Sequence, residues 1–162
     1  MVIGIVTARN AEFYTLDINS EAYAILPALE HQGATLRDKP NYQEGTLVYC
    51  RVLEASSASG LARTKLSCIS PLCKKGWNSG EAFFGELKGG LVKDFPIGFC
   101  RSLLQKGEVL EQLGQKLKFT CNIGFNGKVW VDARISDTIF IMTCLERAVT
   151  QGQSVEDLIN KL

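Results

Sequence analysis

The feature that most constrains this chain is a change in the spacing of its apolar residues near residue 70. Before that point apolar and polar side chains alternate, as at Tyr14, Leu16 and Ile18, which is typical of half-buried β-strands. Beyond it apolar residues recur at helical spacing, as at Cys100 and Leu104. We therefore expect a β half followed by an α/β half, each of ordinary small-domain size.

Short strands fill the first half. They are predicted over residues 2–6, 13–18, 22–29, 47–53 and 63–69. A long polar loop, residues 31–44, separates the third strand from the fourth, and a turn over residues 56–60 precedes the fifth. Five short strands with a long loop after the third suit a five-stranded OB-type barrel.

The second half combines strands and helices. Residues 71–80 are rich in Gly, Ser, Lys and Pro and are predicted to be a linker. A hairpin is predicted from residues 83–87 and 91–95, and two helices follow over about 96–106 and 109–117. Strands at 118–123 and 128–133 precede a helix capped by Ser136, whose apolar face includes Ile139, and a last helix opens at Ser154. The predicted domains are 1–70, with 71–80 as linker, and 81–162.

Gly124-Phe125-Asn126-Gly127 fits the G-x-x-G pattern with which KH domains clamp a nucleic-acid backbone. A KH clamp joins two helices, whereas this tetrapeptide lies between two predicted strands. Asn-Gly between apolar runs favours a type I′ hairpin turn, so we assign Gly124, Asn126 and Gly127 a structural role. The clamp position itself, between the two predicted helices, has one glycine and an acid, Glu108, and is degenerate.

The overall charge argues against a protein that holds nucleic acid unaided. With 18 Lys+Arg against 17 Asp+Glu the net charge is +1, whereas a protein that holds nucleic acid unaided usually has a strong basic excess. Any contact with nucleic acid must come from a local patch or from a surface shared with partners. No apolar run is long enough to span a membrane, and the first residues lack the features of a signal peptide.

Metal, redox and catalytic motifs are also missing from the sequence. The six cysteines form no C-x-x-C pair, and we interpret them as reduced core thiols in a reducing compartment. His31, the one histidine, is a weak candidate for a catalytic base, and no P-loop, paired-carboxylate or H-E-x-x-H motif occurs. We expect no cofactor, no metal, no small-molecule substrate and no enzymatic activity.

Several short motifs together resemble a known protein family. The first half resembles an S1 RNA-binding domain through Val2-x-Gly4, Leu16-Asp17-Ile18, Gly45-x-x-Val48-x-x-Arg51-Val52 and Leu66-Ser67. The second half resembles the KH domain that follows S1 in the cap subunits of the RNA exosome. The segments that carry the resemblance are "VIGIVTA", "GATLRDKPNYQEGTLVYCRV" and "IGFNGKVWV". The G-x-N-G turn followed by Lys-x-Trp is more specific than G-x-x-G alone.

The resemblance implies a non-catalytic subunit with a defined place in a complex. Such subunits sit on a ring of RNase PH-like proteins beside other cap subunits. They stabilise the ring and guide single-stranded RNA to a separate 3′→5′ exoribonuclease, in the nucleus, including the nucleolus, and in the cytoplasm. The family also has an N-terminal domain before S1 that has no match here, so we expect this chain to be part of a longer protein.

Candidate RNA contacts lie in the S1 half. S1 domains often stack a base on an aromatic of the second strand, and the matching position here is Thr15, with Phe13 on the same face as a substitute. Cations that share a face could track RNA phosphates without sequence preference, and Arg37 and Lys39 in the long loop are favoured. The full predicted set is Arg9, Phe13, Arg37, Lys39, Arg51, Arg63 and Lys65. For any single cation, solvated surface is the ordinary alternative.

Trp130 is expected to be an exposed residue that covers a neighbouring domain or subunit, rather than a stacking platform. Because the apolar strand faces and Trp130 are expected to cover a neighbour, we also predict that the two halves are rigidly docked.

Two alternatives to the cap subunit remain open: a free-standing S1–KH single-stranded RNA-binding protein, and an enzyme whose S1 barrel only delivers substrate.

Overall fold

The computed structural model describes residues 1–55, 63–105 and 107–151. Within them the chain forms a first compact unit, Met1–Lys88, and a second that begins at Gly89. The predicted turn at residues 56–60 and the predicted helix from Ser154 lie outside the described residues, as does Lys106.

The first unit is a closed β-barrel. Its strands are β1 (Val2–Arg9), β2 (Phe13–Asp17), β3 (Ala24–Pro27), β4 (Leu47–Glu54) and β5 (Lys65–Ser67). They are hydrogen-bonded in the order β1-β2-β3-β5-β4, and β4 pairs again with β1 to close the sheet. The pairs are antiparallel except β3 with β5, which is parallel. This confirms the predicted five-stranded OB-like barrel.

The alternation of the sequence explains the barrel interior. Tyr14, Leu16 and Ile18 are buried, whereas Phe13 and Thr15 lie on the outer face of β2 and are half-buried. Gly4 is needed at the interior because a Cβ there would lie 2.7 Å from the Leu16 side chain. A β-strand presents successive side chains to opposite faces, so a period of two buries one complete row.

The segment after the barrel remains attached to it. The Trp77 N–H donates to the Gln32 carbonyl at 2.9 Å, and β6 (Gly85–Glu86) pairs with β4. The hairpin predicted from residues 83–87 and 91–95 is therefore wrong. Lys88-Gly89-Gly90 is where the chain leaves the first unit, because the next strand pairs elsewhere.

The second unit has the element order of a KH domain. The strands β7 (Leu91–Asp94), β8 (Thr120–Ile123) and β9 (Lys128–Asp132) form an antiparallel sheet in the order β7-β9-β8. The helices are α1 (Ile97–Gln105), α2 (Glu108–Lys116) and α3 (Ile135–Gln151). The chain order βααββα confirms the predicted α/β class.

One face of this sheet carries the core. The buried cluster comprises Phe95, Cys100, Leu103, Leu113, Ile123, Val129, Val131, Ile141, Met142 and Leu145. Two details of α3 differ from the sequence prediction. Ile139 is exposed, because Ile141 and Leu145 define the buried face. The helix begins at Ile135, so Ser136 lies inside its first turn and donates to Asp137 rather than capping the helix.

Candidate nucleic-acid interface

A surface cleft of about 440 Å³ lies at one end of the barrel, where the β1–β2 turn meets the loop between β3 and β4. Arg9, the last residue of β1, lies at this end, and Lys39 of the long β3–β4 loop lines the same cleft. The described residues that line the cleft include no acid; they are Arg9, Asn10, Ala11, Tyr14, Lys39, Pro40 and Asn41. The sequence prediction included Arg9 and Lys39 but gave no reason to pair them.

Side-chain hydrogen bonds fix both walls of the cleft. The Asn10 Oδ1 accepts from the backbone N–H groups of Glu12 and Phe13, at 2.8 and 2.7 Å, which shapes the β1–β2 turn. On the other wall the Tyr14 hydroxyl donates to the Pro40 carbonyl. A side-chain amide that bonds its own backbone two residues on is a recognised turn device.

The two cations of the cleft are held by neutral acceptors. Arg9 Nη1 donates to Asn41 Oδ1 at 2.6 Å and to the Tyr42 carbonyl at 3.4 Å. Lys39 Nζ donates to the Ala11 carbonyl. Because these acceptors carry no formal charge, the two positive charges are positioned without being neutralised. The arrangement is suited to an anion such as a phosphate.

The remaining predicted cations are placed differently. Arg63 lines another cleft, of about 410 Å³, together with the acids Asp17 and Glu21. Lys65 forms an ion pair with Glu54 at 3.1 Å. Both lie near the far end of β2 and β3, since Lys65 pairs with Ile25 and Asp17 ends β2. The structure therefore separates Arg63 and Lys65 from the cleft that contains Arg9.

Arg51 and Arg37 are not among the lining residues of either cleft. Arg51 is half-buried on β4, and its Nε is enclosed without a hydrogen-bond partner in the described part of the chain. Arg37 is exposed in the β3–β4 loop, two residues before Lys39. Their assignment as RNA contacts stays a prediction.

Phe13 lies on the outer face of the barrel. It pairs across the strands with Pro27, and its neighbour on that face, Thr15, pairs with Ile25. Its side chain is half-buried. Its role as a stacking platform stays a prediction.

The Gly124–Gly127 turn is a hairpin turn, as predicted, but of another type. A type I′ turn requires positive φ at both central residues, and among the four only Gly127 has positive φ, at 89°. The Gly127 N–H donates to the Gly124 carbonyl at 3.2 Å, and the Gly124 N–H to the Lys128 carbonyl at 2.8 Å. This is a type I turn followed by a left-handed glycine, a common three-residue hairpin connection.

Close packing gives Gly127 its structural role. The Phe95 N–H donates to the Gly127 carbonyl at 2.7 Å, and a Cβ at Gly127 would lie 2.6 Å from the Phe95 carbonyl oxygen. The turn thus holds the end of β7 where α1 begins. A KH clamp would lie between α1 and α2, where the chain has Gly107 and Lys106, and Lys106 lies outside the described residues. That this clamp is degenerate stays a prediction from the sequence.

The expectation that the Trp130 side chain is exposed is wrong. It is 5% exposed, and its Nε1 donates to the Gly89 carbonyl at 2.9 Å. A Cβ at Gly90 would lie 2.8 Å from that same Nε1, so the indole packs directly on the glycine pair. Its assignment to a domain or subunit interface stays a prediction.

The histidine and most of the cysteine thiols are buried. His31 is 2% exposed, its ring meets Tyr42 edge-on, and burial lowers its pKa to about 4, so it is neutral at physiological pH. Burial raises the pKa of the thiols of Cys50, Cys68, Cys100, Cys121 and Cys144. A protonated, enclosed thiol is a poor nucleophile.

Among the described residues, no group of His, Cys, Asp and Glu is arranged to hold a metal ion. The helices in that part of the chain include none with the length and apolar character needed to cross a bilayer.

Sequence reasoning missed five lining residues of the cleft, among them Asn10, Tyr14 and Asn41, whose side chains form hydrogen bonds there. Asn10 directly follows a strand, which is a turn position where Asn is favoured, and this would have located it. Tyr14 and Asn41 carry no such indication, because their role depends on a loop that folds back over the barrel end.

Each of the two units matches a known protein family model. Residues 1–80 match the family model for the S1 domain of exosome complex component RRP40, and residues 90–137 match a KH-domain model. Exosome complex component rrp40 of Schizosaccharomyces pombe is 35% identical over 99% of this chain and 67% of its own length. Exosome complex component RRP40 of Homo sapiens is 31% identical over 90% of this chain and 50% of its own length.

A crystal structure provisionally described as an exosome complex RNA-binding protein has the same fold. Its TM-score is 0.72 at 15% identity, covering 98% of this chain and 89% of that one. The chain spans half to two thirds of the length of the curated relatives named above. On these matches, which extend through both units, the chain belongs to the exosome complex component RRP40 family.

Proposed function

We propose that this chain is the S1–KH part of a non-catalytic, RNA-binding cap subunit of the RNA exosome. The subunit stabilises a ring of RNase PH-like proteins and guides single-stranded RNA towards a separate 3′→5′ exoribonuclease. It acts in RNA processing and decay, in the nucleus, including the nucleolus, and in the cytoplasm. Family membership supports the assignment to the exosome, since the relatives are named as components of that complex.

The observation that carries the RNA-binding part is the cleft with Arg9 and Lys39. Its two cations bind neutral acceptors, and no acid occurs among its described lining residues. The net charge of +1 supports weak binding by this chain alone and tighter binding on a surface shared with partners.

The non-catalytic part rests on the placement of the reactive side chains. His31 is buried and held neutral, and the thiols of Cys50 and Cys68 are buried as well. These groups pack the core and are withdrawn from substrate. Degradation is therefore assigned to another subunit.

Two measurements on the full chain test the proposal. The first is its affinity for single-stranded RNA across a salt series, and the second is its capture by a reconstituted exosome ring. We expect weak, salt-dependent RNA binding together with firm ring capture. Tight RNA binding without ring capture would contradict it and favour a free-standing S1–KH RNA-binding protein. Hydrolysis of RNA by the purified chain would contradict the non-catalytic assignment.

A further inference from the structure

Four cations of the first unit fall into two classes by the groups near them. Lys65 is paired with the Glu54 carboxylate, and Arg63 shares its cleft with Asp17 and Glu21. Arg9 and Lys39 instead donate to amide and backbone carbonyl oxygens. An ion pair leaves little net charge for a ligand, whereas a cation on a neutral acceptor keeps its charge. Only the second class attracts an added anion strongly.

Arg9 and Lys39 also retain unused donors. An arginine has five N–H donors and a lysine three, and the contacts named above use only part of them. The bonds to Asn41 and Ala11 fix the two side chains before any ligand arrives. Fixing a side chain in advance lowers the entropy cost of binding, so the pair is preorganised.

The walls of the cleft determine which part of a nucleotide fits. Asp38, next to Lys39 in sequence, is not among the lining residues, and the Thr35–Asp38 turn is closed by its own hydrogen bonds. Tyr14 and Pro40 are buried, so neither offers an open ring face to a base. The cleft therefore suits a phosphodiester and its sugar. Phosphate contacts position a nucleic acid but carry no sequence information.

We infer that Arg9 and Lys39 together bind one phosphodiester of single-stranded RNA, irrespective of its base sequence, and that Arg63 and Lys65 do not. This rests on the proposed function, because it assigns the RNA contact of the same subunit to a particular pair of residues. Asn41 is a positioning residue that orients the guanidinium.

The test measures binding of the full chain to oligouridylate and oligoadenylate of equal length by fluorescence anisotropy, across a salt series. Arg9→Gln and Lys39→Gln are compared with the matched controls Arg63→Gln and Lys65→Gln. Each cleft variant is expected to weaken the shared contact, with a loss of at most about fourfold in affinity near physiological salt and a decrease of at most about 0.7 in the slope of log K against log salt, the value for one phosphate contact on a single strand. The losses should be equal for the two RNAs, and both controls should match the unmodified chain.

Because Arg9 also bonds the β3–β4 loop, Arg9→Lys is added, with thermal unfolding of every variant. Arg9→Lys keeps the charge and should keep the slope even if the loop is weakened. Loss of slope in the control variants, retention of slope in the cleft variants, or unequal losses on the two RNAs would each overturn the inference while leaving RNA binding intact. If the unmodified chain binds neither RNA, the RNA-binding part of the proposed function fails first, and the inference with it.

Discussion

Gly127 is constrained both by its backbone conformation and by close packing against β7. Its φ of 89° is a conformation that side chains disfavour, and a Cβ would lie 2.6 Å from the Phe95 carbonyl oxygen. Gly114, inside α2, has nothing within 4 Å of the position a Cβ would take. The sequence assigned Gly127 a structural role in a hairpin turn, and this role stays a prediction. It could not predict the turn type, because Asn-Gly is compatible with more than one hairpin connection.

Gly127→Ala is expected to destabilise the chain by about 1–3 kcal/mol from backbone strain, with the clash against Phe95 adding to it. Gly114→Ala is the matched control and should be neutral or stabilising by about 0.5–1 kcal/mol, since alanine is favoured in helices. Chemical denaturation of both variants measures the free energy of unfolding. Equal effects of the two substitutions would contradict a specific role for Gly127.

His31 makes the stability of the first unit depend on pH. Burial lowers its pKa from 6.5 to about 4, so below pH 6.5 the unfolded chain binds a proton that the folded chain does not. The stability that this group confers is complete above pH 6.5 and falls as the pH drops from 6.5 to 4. The change amounts to at most about 3 kcal/mol.

The variant His31→Gln removes this titration. We expect the unfolding free energy of the unmodified chain to fall more steeply than that of the variant between pH 6.5 and 4, with parallel curves above pH 7. The contact of His31 Nδ1 with the Ala28 carbonyl, 3.2 Å away, is lost in this variant, and this lowers its stability by the same amount at every pH. Curves that remain parallel down to pH 4 would show that His31 is accessible to protons in the folded chain.

At the scale of elements, Lys128 and Asp94 form an asymmetric cross-strand pair between β9 and β7. Lys128 Nζ donates to Asp94 Oδ1 at 2.8 Å, and the side chains are 6% and 66% exposed, respectively. The lysine is therefore the member that cannot be solvated if its partner is lost. Removing one partner of a pair that includes a buried charge costs more than replacing the buried charge itself.

Asp94→Asn is expected to destabilise the chain by about 2 kcal/mol, because a buried ammonium then keeps only a neutral acceptor. Lys128→Met should cost less than about 1 kcal/mol, since methionine fills similar space without charge. The double variant should resemble Lys128→Met. Denaturation curves of the three variants measure their free energies of unfolding. A greater loss of stability for Lys128→Met than for Asp94→Asn would contradict the asymmetry.

The sequence located most strands and helices because their spacing reports local burial. The predicted strand pairing is wrong where two neighbouring segments have similar local patterns but pair with different strands. Residues 83–87 and 91–95 flank a Gly-Gly turn, yet β6 pairs with β4 and β7 with β9. Likewise, helical spacing places Ile139 with Met142, and only the position of the sheet decides that Ile141 is buried instead. Tertiary packing determines which strand a segment pairs with and which face of a helix is buried, and the periodicity of the sequence does not encode it.

At the scale of the whole molecule, the candidate site depends on contacts between distant segments. Arg9 ends strand β1 and Lys39 lies in the β3–β4 loop, and the bonds to Asn41 and Ala11 join this loop to the end of β1 and the β1–β2 turn. Composition suggested a local basic patch, and the sequence named six candidate cations, including Arg9 and Lys39, without showing which of them lie together. Which cations remain uncompensated follows from the positions of Glu54, Asp17 and Glu21, which only the folded barrel shows.

The boundary between the units gives the last prediction. Sequence placed it at residues 71–80, whereas the contacts group residues 71–88 with the barrel. The Leu87 N–H donates to the Leu47 carbonyl at 2.9 Å, and the Phe84 ring packs on Tyr49 with centroids 5.3 Å apart. A fragment of residues 1–88 should therefore unfold cooperatively. A fragment of residues 1–70 should be less stable or unfolded, because β4 loses β6 and Tyr49 becomes exposed.

Urea denaturation followed by tyrosine fluorescence and circular dichroism compares the two fragments. Tyr14, Tyr42 and Tyr49 are buried in the unit, so both probes report the same barrel. Coincident transitions in the longer fragment and a lower midpoint in the shorter one would place the boundary at Lys88–Gly89. Equal midpoints would return it to residues 71–80, and would mean that the segment from Trp77 to Leu87 lies on the barrel without stabilising it.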